Sequence, residues 1–265
     1  MSEILMFHRI LPAHFIDKND PYFLKGTLIS TNRFESVLMD YLNKGYSFRT
    51  ISKLSKSNRE KIVSLTFDDG YADNFQYALP ILEKYSLKAT FYPIIRYCLS
   101  QDVAPLDHYY QHVKSNINPV NYNEWVEGRI KQEFLALSVS NQRKYIINLK
   151  GIKSKPDVQY MTHNQLKALY EIGHEIGAHS YQHDIYTLLT DDEIQDDITS
   201  TIRGFKSIEL SPTSFAYPDG RYNERIITRI KNSGFYNACT VKSQYYNKDA
   251  QFELERKFVT ENEII

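Results

Sequence analysis

Two adjacent carboxylates, Asp68 and Asp69, follow a run of apolar and β-favouring residues at Ile62–Phe67. This pattern predicts a buried strand that holds both side chains at its C-terminal end, with Gly70 permitting a tight exit. In open α/β sheets and α/β barrels, active sites lie at that end of the strands. Adjacent carboxylates repel each other, so a cation or a proton must relieve the repulsion. A plain acidic turn, with Asp73 as the cap of the next helix, is the alternative interpretation.

Histidines at two other predicted strand ends could supply further ligands. His8 ends the apolar run that begins at Ile4, and His179 ends the run that begins at Glu175. His183 follows His179 by four residues, and in a helix or tight turn two side chains at this spacing can hold one ion. Two histidines and one carboxylate are a common ligand set for catalytic zinc or a similar divalent ion.

The spacing of this histidine pair is weak evidence by itself, because His108 and His112 have the same spacing. The second pair lies in a predicted amphipathic helix that is far from any strand end. His179 lies at the end of a predicted strand that has glycines before and within it, and His183 follows shortly after. A site in this position would be held rigidly. The metal-site hypothesis therefore concerns His179 and His183.

The elements that must position these residues alternate between strands and helices. Strands are predicted at 4–8, 62–69, 87–93, 175–179, 214–217, 235–241 and 256–260. Helices are predicted at 31–45, from about 74, at 108–113, 122–149, 162–173, 190–207 and 223–232, with a loop at 21–26 and a linker at 52–61. The predicted fold class is α/β, as a closed or nearly closed barrel. Residues 97–160 are too long for a plain connection and are predicted to form a helical insertion that covers or lines a cleft, within a single domain at 1–265.

The composition excludes several classes of protein. With 32 Lys+Arg and 32 Asp+Glu residues, the chain has no net charge that would indicate a nucleic-acid or membrane-surface partner. The 21 Tyr and 14 Phe residues are expected mainly in the core, although sugar-binding clefts also use aromatic faces. Two cysteines imply no disulfide framework. No signal peptide or membrane span is predicted, so a cytoplasmic protein is expected if the chain is the whole natural one.

Three motifs in the chain carry a family resemblance. Thr66–Tyr71 (TFDDGY) and His179–His183 (HSYQH) match the first two motifs of the polysaccharide deacetylases of the NodB-homology group, carbohydrate esterase family 4. Phe215–Gly220 (FAYPDG) resembles the third motif. The resemblance covers most of the chain outside the insertion. It implies a distorted (β/α) barrel of the NodB type with a helical insertion.

The resemblance also implies a role for each site residue. Asp69, His179 and His183 would bind a divalent metal, with Zn²⁺ as the expected ion and Co²⁺ or Ni²⁺ as alternatives. Asp68 would be the general base that deprotonates the attacking water. The backbone N–H of Asp219 would stabilise the oxyanion together with the metal.

The chain departs from the family pattern at two places. Ala216 stands where many members have an arginine that orients the catalytic aspartate, and no histidine follows His183 to act as the general acid. However, Met6–Ile10 resembles the N-terminal stretch of the circularly permuted exopolysaccharide N-deacetylase branch, which makes His8 the candidate acid. A core histidine with satisfied hydrogen bonds is the alternative for His8. In the segment that resembles that branch's last strand, Arg256 could replace the lost arginine or be a surface residue.

These patterns predict a metal-dependent deacetylase that hydrolyses the acetamido group of an N-acetylated sugar or glycan precursor. One alternative is a hydrolase of a non-sugar amide or of an O-acetyl ester. A second alternative, motivated by the two departures, is a carbohydrate-binding protein that has lost its catalytic activity.

Overall fold

The computed structural model describes residues 2–54, 61–149, 156–243 and 250–262 of the chain, and it has a parallel α/β architecture. The strands are β1 Ser2–Phe7, β2 Arg9–Leu11, β3 Leu28–Ser30, β4 Ser47–Phe48, β5 Ile62–Asp69, β6 Thr90–Pro93, β7 Glu175–Ile176, β8 Ser214–Ala216, β9 Asn237–Thr240, β10 Leu254–Glu255 and β11 Lys257–Phe258. The α-helices are α1 Pro21–Lys25, α2 Thr31–Asn43, α3 Leu79–Lys84, α4 Ile95–Ser100, α5 Pro105–Asn116, α6 Tyr122–Val126, α7 Arg129–Leu135, α8 Val139–Asn148, α9 His163–Glu171, α10 Asp191–Lys206 and α11 Glu224–Asn232.

The strands form a distorted barrel whose members are all parallel. One sheet has the order β11, β1, β5, β6 and β7, and a second has the order β10, β9 and β8. A parallel bridge between Ala178 and Phe215 joins the end of β7 to β8. Only Arg256 separates β10 from β11, so the last strand pairs with β9 through its first half and with β1 through its second. The strands thus close into a ring, and the predicted α/β barrel is confirmed.

Strand β5 is the middle strand of the first sheet and is buried along its whole length. It pairs with β1 from Ser2↔Ile62 to Phe7↔Phe67, and with β6 at its C-terminal half. Stacked aromatic rings fill the space beside it, with centroids of Phe67 and Phe91 4.8 Å apart. The largest fully buried side chains are tyrosines and phenylalanines, as the composition predicted. This packing fixes the position of the two carboxylates at the end of β5.

Helices α5, α6, α7 and α8 occupy most of the segment between β6 and β7 that the sequence assigned to an insertion. The expected long helix at 122–149 is three short helices, α6, α7 and α8. Gly128 lies between the first two, and Ser138 caps the third by accepting a hydrogen bond from the N–H of Asn141. The single-domain assignment stays a prediction.

The expected loop at 21–26 is wrong, because Pro21–Lys25 form the helix α1. The carboxylate of Asp20 accepts a hydrogen bond from the N–H of Tyr22, which caps the helix N-terminus. Pro21 occupies the first helical position, where a missing N–H costs nothing. Gly26, with φ +81°, ends the helix in the left-handed conformation.

Other boundaries also differ from those expected. The strand expected at 175–179 ends at Ile176, because the backbone passes there from β6 to β8: the N–H of Gly177 bonds to the carbonyl oxygen of Phe91, and that of Ala178 bonds to Ser214. The helix after β5 begins as a π-helical turn at Asn74–Ala78 before α3, since Pro80 lacks the N–H that a regular helix needs. The strand expected at 256–260 is the shorter β11, and a further strand, β10, lies before Arg256. Residues 55–60 of the expected linker lie outside the described residues.

Within the described ranges, no helix combines the length and the apolar character that crossing a membrane requires.

Candidate active site

A cavity of about 330 Å³ lies at the C-terminal ends of the strands, and we call it the site cavity. Every residue to which the sequence assigned a site role lines it: His8, Asp68, Asp69, His179, His183 and Asp219. The size is within the range of pockets that hold small ligands. The fold therefore gathers residues from four separate parts of the chain into one place.

Asp69, His179 and His183 form a group that could hold one metal ion. Their ligand atoms all lie within 4.8 Å of one another. The Oδ1 atom of Asp69 is 3.5 Å from Nε2 of His179 and 3.7 Å from Nε2 of His183. The Nδ1 atom of His179 lies 2.8 Å from the carbonyl oxygen of Ala216. Because a carbonyl oxygen only accepts, Nδ1 carries the proton and Nε2 is left with a lone pair for a cation.

Burial keeps both histidines in the form that a metal requires. It lowers the pKa of His179 to about 3 and also lowers the pKa of His183. Both imidazoles are therefore neutral at pH 7, and a metal-bound histidine must be neutral. Burial, followed by repulsion from Asp68, raises the pKa of Asp69 well above its ordinary value. A divalent cation beside Asp69 would remove this penalty.

Asp68 is held by a buried arginine rather than by the ligand group. The Oδ1 and Oδ2 atoms of Asp68 accept hydrogen bonds of 2.6 and 2.7 Å from the two terminal nitrogens of Arg256. Burial by itself would raise the pKa of Asp68, but the Arg256 guanidinium outweighs it and lowers the pKa to about 2. Arg256 is only 2% exposed, so its interpretation as a surface residue is wrong. It takes the position beside the aspartate that Ala216 cannot fill.

His8 lies at the end of β1, half-buried in the wall of the site cavity. Its backbone carbonyl accepts a hydrogen bond of 2.7 Å from Asn74, and its ring packs edge-on against Phe258. The Nδ1 atom is buried and has no hydrogen-bond partner among the described residues, unlike that of a satisfied core histidine. Burial lowers the pKa of His8 to about 4, although Asp68 opposes the shift.

Asp219 lies in the short turn Pro218–Gly220 at the edge of the site cavity. Its carboxylate points to Arg221, with 2.7 Å between Oδ2 and Nε. As the second residue of the turn, Asp219 has an N–H outside the hydrogen bonds that the turn makes internally. That N–H is the group to which the sequence assigned the oxyanion.

The backbone is strained where it presents the site residues. Asp69, His183 and Asp219 have φ values of 69°, 70° and 55°. Residues other than glycine rarely adopt this left-handed region, and each such conformation costs on the order of 1–3 kcal/mol. Gly70 continues the turn with φ +82°, and a Cβ there would lie 2.7 Å from Pro93. The surrounding fold therefore fixes the directions of these side chains.

A group of tyrosines that connects the insertion to the site was not predicted from the sequence. The buried carboxylate of Asp107, on α5, accepts hydrogen bonds from the hydroxyls of Tyr22, Tyr71 and Tyr160. Tyr71 directly follows the Asp-Asp-Gly sequence at the end of β5. The only signal in the sequence was the excess of tyrosine, which cannot reveal which hydroxyls meet.

The other histidine pair with this spacing, His108 and His112, lies outside this site. Neither residue lines the site cavity. His112 is buried in the insertion, where its ring packs 5.7 Å from that of Trp125. The setting of a histidine pair, and not its spacing, therefore indicated which pair lines the site cavity.

Comparisons with known proteins agree with this geometry. A family model described as polysaccharide deacetylase matches residues 55–238. The protein YxkH of Bacillus subtilis (strain 168), provisionally described as a polysaccharide deacetylase, is 23% identical over 253 residues. The match covers 93% of this chain and 66% of YxkH, so the chain spans slightly less than two thirds of that relative.

Solved structures share the fold over nearly the whole chain. The Streptococcus pyogenes deacetylase PplD, in complex with acetate, is 18% identical with a TM-score of 0.67, and the match covers 98% of this chain and 93% of that one. IcaB from Ammonifex degensii is 19% identical with a TM-score of 0.62, and the match covers 98% and 91%. A polysaccharide deacetylase from Bacillus cereus, BC0361, is 16% identical with a TM-score of 0.65, and the match covers 99% of this chain but 66% of that one.

Proposed function

Because the chain belongs to the polysaccharide deacetylase family, we propose that it hydrolyses the acetamido group of an N-acetylated sugar or glycan precursor with the help of a divalent metal. The observation that carries the proposal is the division between two neighbouring carboxylates. Asp69 lies with two neutral histidines, whereas Asp68 is held outside that group by Arg256. A site for binding alone would have no use for the second carboxylate.

The donor set fits a zinc-like ion. One carboxylate oxygen and two imidazole nitrogens, close enough to converge, are typical of catalytic Zn²⁺, and the same set accepts Co²⁺ or Ni²⁺. A bound divalent ion would lower the pKa of water and polarise the acetyl carbonyl. The hydrogen bond from His179 to Ala216 orients the imidazole for this purpose.

The proton of the attacking water passes to Asp68. Its pKa of about 2 keeps it ionised at neutral pH. Each of its oxygens retains a lone pair beside the hydrogen bond from Arg256, so Arg256 fixes the carboxylate without blocking it. In this arrangement Arg256 is a positioning residue.

Asp219 and His8 act on the carbonyl oxygen and on the leaving nitrogen of the substrate. The N–H of Asp219 donates to the oxygen that becomes negative when the water adds to the carbonyl. His8 protonates the leaving nitrogen. Since burial lowers the pKa of His8 to about 4, it is neutral at the start and must receive a proton within the cycle. Asp68, once protonated, is the stronger acid of the two and is the natural source.

The alternative of a carbohydrate-binding protein without catalytic activity has less support once the contacts of Arg256 and His8 are considered. That alternative rested on the missing orienting arginine and the missing C-terminal histidine. Arg256 lies against Asp68, and His8 lies in the same cavity wall. Both missing positions therefore have a candidate replacement from another part of the chain.

Product analysis tests the proposed function directly. Protein loaded with Zn²⁺, Co²⁺ or Ni²⁺ is incubated with N-acetylated sugars and oligosaccharides, O-acetylated sugars and non-sugar amides, and released acetate, formate and ammonia are measured. The proposal predicts acetate release from at least one N-acetylated sugar. Release only from O-acetyl esters or non-sugar amides would contradict it.

A further inference from the structure

A buried lysine from the insertion forms part of the wall of the site cavity. Lys131, on α7, is 3% exposed and lines the cavity together with the proposed metal ligands. Its ammonium donates a hydrogen bond of 2.5 Å to the hydroxyl of Tyr110 and lies 3.9 Å from the centre of that ring. No motif of the family covers this residue, and none of the roles proposed above uses it.

The positive charge of Lys131 has no acidic partner among the described residues. A buried lysine is rare unless it is paired, because removing an ammonium from water is costly. The three acids that line the cavity have other partners, since Asp68 pairs with Arg256, Asp219 pairs with Arg221, and Asp69 lies with His179 and His183 as a proposed metal ligand. The ring and hydroxyl of Tyr110 compensate only part of the cost. Two of the three N–H donors of Lys131 therefore remain available for a ligand.

Lys131 and Lys25 are two basic residues that line the same cavity, and their presence there makes an anion the favoured ligand. Burial, followed by repulsion from Lys25, lowers the pKa of Lys131 to about 7, while Asp219, Asp107 and Asp69 oppose the shift. Lys25 also lines the cavity and is half-exposed, 3.5 Å from Glu127. An anionic group between Lys131 and Lys25 would relieve their repulsion and supply the missing countercharge.

We propose that Lys131 binds an anionic oxygen group, phosphate or carboxylate, of an acetamido sugar, so that the preferred substrate is a charged N-acetylated glycan or precursor. The proposal rests on the deacetylase function proposed above. It assigns the insertion a role in substrate selection, with Lys131 as the specificity-determining residue. A hydroxyl of a neutral sugar would leave the buried charge uncompensated.

The test compares ligands that differ in charge. The zinc-loaded protein is supplied with N-acetylglucosamine, N-acetylglucosamine 1-phosphate and N-acetylmuramic acid, which carry no charge, a phosphate and a carboxylate. KM and kcat are measured from acetate release, and the dissociation constant of any ligand that is not hydrolysed is measured by calorimetry. Lys131→Met should raise KM or Kd for at least one anion about tenfold or more and change the value for the neutral sugar little. The anion with the larger change identifies phosphate or carboxylate as the group bound.

Two further variants make the result decisive. Lys131→Gln keeps a donor for Tyr110 without the charge and should lose the same preference for anions. Lys144→Met removes an exposed lysine from α8, outside the site cavity, and should leave all values unchanged. Equal effects of Lys131→Met on neutral and anionic ligands would overturn the proposal. If no ligand releases acetate, the proposed function is in doubt, while the calorimetric constants still decide the role of Lys131.

Discussion

Asp68 and Asp69 are neighbours in the sequence, yet their surroundings give them opposite electrostatics. The guanidinium of Arg256 lowers the pKa of Asp68 to about 2, whereas burial and the charge of Asp68 raise the pKa of Asp69. One carboxylate is therefore stable as an anion without a metal, and the other needs a cation. This difference is the physical basis for assigning the base and the ligand.

Substitution of each carboxylate by asparagine should separate the two roles. Asp68→Asn should lower kcat by about 10²- to 10⁴-fold, because the general base is lost, while the bound metal stays near the wild-type amount. Asp69→Asn should lose both metal and activity, because a ligand is removed. The measurement pairs metal analysis with acetate release, using protein shown by circular dichroism to be folded. Wild-type turnover by Asp68→Asn would exclude Asp68 as the base.

Site residues that belong to short sequence motifs were predicted from the sequence. Contacts between residues that are far apart in the chain were not. Asp68 and Asp69 are recognisable because they end an apolar run, and His179 and His183 because they are four residues apart shortly after another such run. Arg256 is 188 residues from the aspartate that it holds, so no local pattern could establish that contact. The same limit hid Lys131 and the tyrosines around Asp107.

At the level of elements, the last two strands, β10 and β11, pair with different neighbours, and the residue between them contacts the site. β10 pairs with β9 and β11 pairs with β1, and the residue between them sends its side chain to Asp68. The N–H of Arg256 still bonds to the carbonyl oxygen of Thr240 at 3.1 Å, so the backbone is anchored at the interruption. The strand that closes the barrel therefore also delivers the positioning arginine.

Arg256→Lys should reduce activity without removing the metal. A lysine keeps the charge but cannot make the bidentate contact, so Asp68 would be less well oriented. Loss of one charge-assisted hydrogen bond predicts a fall in kcat of about 10- to 100-fold, measured by acetate release at saturating substrate.

A matched control is Arg229→Lys, since Arg229 contacts Asp191 at the surface, with 2.7 Å between the charged atoms. This variant should have wild-type activity. Equal activity of Arg256→Lys and Arg229→Lys would contradict the positioning role.

Elements were predicted well where a cap or a periodic pattern was present. Helices were predicted from Thr162 and from Thr190, and each of these threonines caps a helix, α9 and α10, with a capping box. Helix α1 was missed because its five residues are too few for a periodic pattern to appear. The short β7 could not be predicted, since it ends where the backbone changes its hydrogen-bond partner from Phe91 on β6 to Ser214 on β8, which depends on tertiary structure.

At the level of the whole molecule, the order of the barrel strands explains how residues from both ends of the chain meet in one cavity. β1 lies between β5 and β11, so His8 and Arg256 come from adjacent strands. The alternating pattern of strands and helices predicted an α/β barrel, but not which strand closes it. Strand order depends on tertiary packing that the local pattern does not record.

Stability should depend on pH through a buried histidine away from the site. His174 accepts a hydrogen bond of 3.1 Å from the N–H of Ala89, and burial lowers its pKa from 6.5 to about 4. The unfolded chain binds this proton more readily than the folded protein. The contribution of neutral His174 to the free energy of unfolding is therefore fully present above pH 6.5 and is lost as the pH falls towards 4. This pKa shift corresponds to a loss of about 3 kcal/mol in the free energy of unfolding.

Urea unfolding of wild type and His174→Asn at several pH values between 4 and 7 measures this contribution. Asparagine can accept the same hydrogen bond but does not titrate, so the free energy of unfolding of the variant should fall less at low pH. Parallel curves for the two proteins would exclude His174 as the source. His8 titrates in both proteins and cancels in the comparison.

The most direct test of the account is acetate release before and after metal removal, on the N-acetylated sugar that the protein hydrolyses fastest. Protein treated with a chelator should lose activity, because Asp69, His179 and His183 would no longer hold a cation. Addition of about one equivalent of Zn²⁺ per chain should restore it. Full activity in protein shown by elemental analysis to contain no metal would contradict the proposed mechanism.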